Sequence, residues 1–126
     1  MSAPQIIQFN KSQELTNYFP LPRSLLEMEL SSTALLLYSV LLDRATLSQK
    51  NDYCDESGWV FVIYTIEHLA ETLHISDTAV KRHLKDLEEK GLILRKHWAR
   101  NQPSHIYLCI PDDAAKPPGG RKRTTR

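Results

Sequence analysis

The sequence predicts an α+β domain, and three observations carry that prediction. Apolar residues recur at steps of three and four from Ala34 to Ala45, the period of a helix face. Trp59-Val60-Phe61-Val62-Ile63-Tyr64 is an aromatic and β-branched run of strand length. Two further apolar runs, Leu92 to Leu94 and His105 to Ile110, flank the polar segment Ala99 to Ser104, the pattern of an antiparallel hairpin with a basic tip.

With 126 residues, 41% of them hydrophobic, the chain suits one compact domain with its own core. Residues 1–30 are predicted to be an N-terminal arm with a short helix, 31–111 the folded domain and 112–126 a disordered basic tail. The arm is largely polar to Tyr18, with Ile6, Ile7 and Phe9 as its apolar residues, and Phe19-Pro20-Leu21-Pro22 then introduces a helical run from Arg23 to Met28. The longest helix spans Ser32 to Ser48, with Ser31 or Ser32 as its cap. Its Ala34, Leu37, Tyr38, Leu41, Leu42 and Ala45 form one face, and Leu35, Leu36 and Val40 make a second side apolar. Such a helix must be covered on both sides, by the fold and by either a second subunit or the chain's own N-terminal arm; with the apolar residues of that arm, this favours a homodimer.

Asn51 to Gly58 is a polar, acidic connection into the first strand. Thr65 then opens a short helix in which Ile66, Leu69, Ala70 and Leu73 share a face, ending near His74. Ser76 caps the next helix, with Val80, Leu84 and Leu87 as its apolar stripe and Gly91, the residue type best suited to a left-handed backbone, as its stop. Helix, strand, helix, helix, strand, strand is the order of a winged helix-turn-helix with a small antiparallel sheet as its wing. Ala70 supplies the small residue where the two short helices cross, and Ile75, Val80 and Leu84 lock the second onto the first. His74 stands where glycine is common, and histidine tolerates that left-handed position better than branched residues do.

Charge points to the second of these helices and the hairpin after it. The chain carries +1 overall, but residues 1–58 hold four bases against seven acids, whereas residues 81–100 hold seven against three, a local +4. Such a patch suits a polyanion. With Val80, Leu84 and Leu87 turned inward, Thr78, Lys81, Arg82 and Lys85 fall on the opposite face. In a helix-turn-helix the first turns of the second helix enter the major groove, which places Asp77, Thr78, Lys81 and Arg82 against base edges. Arg82 suits bidentate contact to guanine. Ser76, Lys85, Arg95, Lys96, Arg100 and Asn101 are assigned to phosphate, with the last four on the wing. The tail Arg121 to Arg126 either adds nonspecific phosphate contacts or is a solubilising end.

Other chemistry finds little support. The two cysteines, Cys54 and Cys109, lack metal-binding or redox spacing; His97, His105 and Cys109 form no recognisable ligand set; and the four glycines fit no phosphate loop. No His-x-His pair accompanies the five tyrosines, as a nicking enzyme would require. A non-enzymatic protein without cofactor or metal is expected. No signal peptide or membrane span is recognisable, so a cytoplasmic location is expected too.

Tyr18 to Arg23, Leu30 to Arg44, Leu47-Ser48 to Asp55-Glu56 and Val62 to Thr65 together resemble the N-terminal domain of RepA_N-type plasmid replication initiators, over about residues 17 to 110. Ala34 to Arg44 with the following Ser48 to Asn51 is the most specific part, and Asp52-Tyr53 stands where that family usually has Gly-Trp. The resemblance implies a dimer of winged helices on double-stranded DNA at repeated sites of a plasmid origin. It also implies host replication proteins recruited by a C-terminal region not found in these residues, leaving a fragment or a short stand-alone relative as readings. A transcriptional regulator of the same fold and a winged helix used as a protein-interaction surface remain the alternatives.

Overall fold

The computed structural model describes residues 3–96 and 104–115. A 3-10 helix at Arg23–Glu27 leads into α1 (Ser32–Lys50), β1 (Phe61–Ile63), α2 (Ile66–Leu73), α3 (Asp77–Glu89), β2 (Ile93–Lys96), β3 (His105–Leu108) and a 3-10 turn at Asp112–Ala114. The strands form one antiparallel sheet in the order β1-β3-β2, with Tyr107 of the central strand facing Phe61 on one side and Leu94 on the other. This is the α+β winged helix-turn-helix that the sequence predicts.

Each α-helix begins on a hydroxyl. Ser31, Thr65 and Ser76 sit in extended backbone and accept a hydrogen bond from the amide three residues on, at Ala34, His68 and Ala79, each at 3.1 Å. Each such cap contributes about 1 kcal/mol. The two short helices also end alike. Gly91 takes φ +79°, its N–H donates to the Glu88 carbonyl at 3.0 Å, and the Leu92 N–H reaches the Leu87 carbonyl at 3.0 Å, which satisfies the last carbonyls of α3. His74 does the same for α2 at φ 59°, with the Ile75 N–H on the Ala70 carbonyl at 3.1 Å. A left-handed histidine costs about 1 kcal/mol that glycine avoids, and the reversal it makes sets α3 across α2.

The core gathers Leu37, Tyr38 and Leu41 of α1, Leu69 of α2, Val80, Leu84 and Leu87 of α3, and Val62, Ile93 and Ile106 of the sheet. The Tyr38 hydroxyl crosses this core to donate to the Cys109 carbonyl at 2.9 Å. Burial, and next the neighbouring Cys109, push its phenol up to about 12. Among the described residues no helix is long and apolar enough to cross a membrane.

Boundaries differ from the sequence expectation at several places, among them β2, which runs from Ile93 to Lys96 rather than Leu92 to Leu94, and β3, which ends at Leu108 rather than Ile110. α1 runs to Lys50 rather than Ser48. β1 is shorter than the 59–64 run: the Asp55 carboxylate accepts from the Trp59 and Ser57 amides, both at 2.9 Å, and the chain leaves the strand after Ile63 so that Thr65 can cap α2, with Tyr64 packed against the core. These bonds, led by the one from Trp59, hold the Asp55 carboxyl below its usual range. Leu25 is fully buried, so the short helix packs into the domain rather than belonging to a separate arm. Asp112–Ala114 make a turn instead of starting the disordered tail, and the Ser24 hydroxyl donates to Asp113 at 3.1 Å. The rest of the predicted tail, from residue 116, lies outside the described residues.

Candidate nucleic-acid interface

α3 shows two faces. Val80, His83, Leu84 and Leu87 are buried against the rest of the domain. Ser76, Asp77, Thr78, Lys81, Arg82 and Lys85 are all exposed, so the helix brings these six predicted contacts together. Two of its four acids are engaged elsewhere: Asp86 Oδ2 lies 3.8 Å from His83 Nδ1, and Glu88 turns to the sheet. Among the described residues Lys81, Arg82 and Lys85 form no ion pair, so their charge is available to an anion. The arrangement presents donors on a helix about 10 to 12 Å across with side chains, a fit for the major groove of duplex DNA.

The wing is more divided. Arg95 and Lys96 lie in β2 rather than in the hairpin tip. Arg95 Nε and Nη2 both donate to Glu88 Oε1, at 3.2 and 3.0 Å, so this guanidinium, assigned from the sequence to phosphate, is held by a carboxylate instead. Strand pairing makes the reason plain: Arg95 opposes the buried Ile106, which turns it toward α3 and away from the outer sheet face. Lys96 points the other way, with its Nζ 5.2 Å from the centre of the Tyr107 ring. Arg100 and Asn101 lie outside the described residues, as does His97.

Two participants escaped the sequence reading. Glu88 was counted only as part of the local charge, although it binds an arginine seven residues on. His83 is buried, with Nδ1 3.4 Å from the Ser31 hydroxyl that caps α1. Its position, three residues after Val80 and four before Leu87, is that of an inward-facing residue, which was the available signal.

Comparisons with known proteins agree with this geometry. The sequence model described as replication initiator protein A (RepA) N-terminus matches residues 17–113. A "41 kDa protein" of Lactobacillus helveticus is 31% identical over 83 residues, which cover 61% of this chain and 24% of that protein. The matched part is thus about a quarter of that relative's length. A solved N-terminal domain of a DNA-binding protein superposes with a TM-score of 0.67 at 28% identity, covering 80% of this chain and 86% of that one. A chain from a Rep-DNA complex gives 0.66 at 29% identity, covering 79% and 85%. One from an MDR initiator gives 0.64 at 28%, covering 79% and 87%.

Proposed function

The chain belongs to the family of replication initiator protein A N-termini, and on that footing we propose that it binds double-stranded DNA sequence-specifically at the repeated sites of a plasmid replication origin, without catalysing a reaction itself. The observation that carries this reading is the exposed, unpaired set Lys81, Arg82 and Lys85 on a helix whose opposite face is locked into the core. Docked in the major groove, Asp77, Thr78, Lys81 and Arg82 meet base edges, with Arg82 as the bidentate guanine reader. Ser76, Lys85 and Lys96 meet phosphates and fix the register. The protein works in the cytoplasm as a homodimer, which pairs two reading helices on repeated sites. Recruitment of host replication proteins falls to a region outside the matched part.

The test is selection of bound duplexes from a random pool, followed by binding to the enriched sequence and to origin repeats of a parent plasmid. Arg82→Ala should cost about 1 to 3 kcal/mol on the selected site and relax one base position. Lys85→Ala should weaken all duplexes alike and flatten the salt dependence by about 0.9 in log-log slope. Enrichment of no sequence, or equal losses on specific and random DNA for both variants, would defeat the assignment.

A further inference from the structure

The N-terminal arm is apolar where nothing covers it. Ile6, Ile7, Phe9 and Leu15 are 86, 67, 69 and 66% exposed. Its order is local: the Gln13 amide donates to the Asn10 carbonyl at 3.1 Å, and Asn10 Oδ1 accepts from the Ser12 amide at 2.9 Å. On the domain, a groove of about 570 Å³ lies unfilled, lined by Leu42 and Ala45 of α1, Trp59 and Val60 before β1, Ile110 after β3, and Leu21 of the arm's own stem. Trp59 is 67% exposed at this site. Neither the lining nor residues 3–10 of the arm includes an ionisable side chain. A polyanion gains nothing in such a groove, whereas an uncharged apolar strand does.

We propose that this groove receives the N-terminal arm of a second copy, and that two copies exchange arms reciprocally; the proposal rests on the homodimer reading above and assigns its interface. Ile6, Ile7 and Phe9 would fill the apolar lining, while Gln5 and Gln8 would meet Thr46 and Gln49 at its edge. A partner copy is favoured over the arm folding back on its own domain. The stem Pro20-Leu21-Pro22 is held extended by its prolines, and the residues before each proline avoid helical backbone, so a sharp return at the rim is disfavoured. Beyond it the arm bends at Asn17, φ 60°, and turns between Asn10 and Gln13, and its remaining stretches span at most about 3.3 Å per residue, enough to reach a neighbouring domain. A reciprocal exchange, in which each stem lines the groove that its partner's arm enters, is two-fold and closes at two copies. No residue of α2 or α3 lines the groove, so both reading helices stay free.

Sedimentation of the full chain, of a variant lacking residues 3–15 and of Phe9→Asp tests this directly. The deletion leaves the core untouched, since its first residue is Leu25. The intact chain should be dimeric, the deletion monomeric with unchanged circular dichroism, and Phe9→Asp should raise the dimer dissociation constant at least about tenfold. In a Trp98→Phe background Trp59 is the only tryptophan, and its emission should shift to the blue as concentration rises through the dimer range. A deletion variant that remains dimeric overturns the arm exchange and leaves the homodimer standing, whereas an intact chain that stays monomeric overturns both. Trp59 emission already blue at high dilution means that the arm covers its own groove, and also overturns the exchange. Binding of either form to a single DNA half-site reports on the DNA reading alone.

Discussion

Glu88→Gln is predicted to make this domain a tighter and more salt-sensitive DNA binder at a small cost in stability. Glu88 and Arg95 are each about a third exposed, 35 and 30%, and are joined by two hydrogen bonds onto one carboxylate oxygen. Solvent screening limits such a pair to about 0.2 to 1 kcal/mol, so neutralising Glu88 should lower the melting temperature by no more than a few degrees. The gain is on the DNA side. The variant removes a negative charge from the last turn of α3 and leaves the Arg95 guanidinium free for phosphate. One added phosphate contact steepens the log-log salt slope by about 0.9, an extra factor of about 3.5 in affinity change between 50 and 200 mM salt. Fluorescence anisotropy with a random duplex over a salt titration measures this, and Arg95→Ala in the Glu88→Gln background should restore the parent slope. An unchanged slope in Glu88→Gln would refute the reasoning, because Arg95 would then lie out of reach of the backbone.

Three further outcomes follow from the core and its titratable groups. Leu84→Ala, at a side chain only 1% exposed between α3 and the rest of the core, should cost about 2 to 5 kcal/mol in denaturant unfolding and weaken DNA binding through loss of folded protein alone. Tyr38→Phe removes the bond to the Cys109 carbonyl and should cost about 0.5 to 1.5 kcal/mol at neutral pH. Because the Tyr38 phenol titrates at about 12 when folded and at about 10 when unfolded, its contribution is complete below pH 10 and lost as pH rises toward 12; the variant should show a shallower alkaline limb in stability against pH. Cys54 is exposed, whereas burial pushes the Cys109 thiol up, so a thiol reagent at mildly alkaline pH should label Cys54 first and Cys109 only slowly, as mass spectrometry of digests can follow.

The parts of the fold legible in the sequence were those set by local chemistry. Ser31, Thr65 and Ser76 cap helices because a hydroxyl before an apolar period does so almost anywhere, and Gly91 and His74 end them because few residues accept a left-handed backbone. The division of α3 into a buried and an exposed face followed from its period alone. What escaped depends on contacts between distant residues. Leu25 reads as part of a polar arm until its place in the core is known, and the fate of Arg95 depends on strand register, which no short window of sequence records. His83 was hidden for another reason: a titratable residue at an inward position looks like an exception to the stripe until the Ser31 hydroxyl supplies its partner.

The first α-helix ties these features into one mechanical unit. Its N-terminal cap touches His83 of α3, its middle turns carry Leu37, Tyr38 and Leu41 into the core, and its later turns offer Leu42 and Ala45 to the unfilled groove. α3 is therefore held by α1 as well as by α2. The helix is apolar on more than one side, although Leu36 and Leu47, about half exposed at 55 and 49%, belong neither to the core nor to the groove. One side is needed to hold α3, another borders the groove, and a single rigid helix of 19 residues transmits the position of one to the other. With exchanged arms, the spacing of two reading helices would thus be fixed through two copies of α1 rather than through the loops that join the helices.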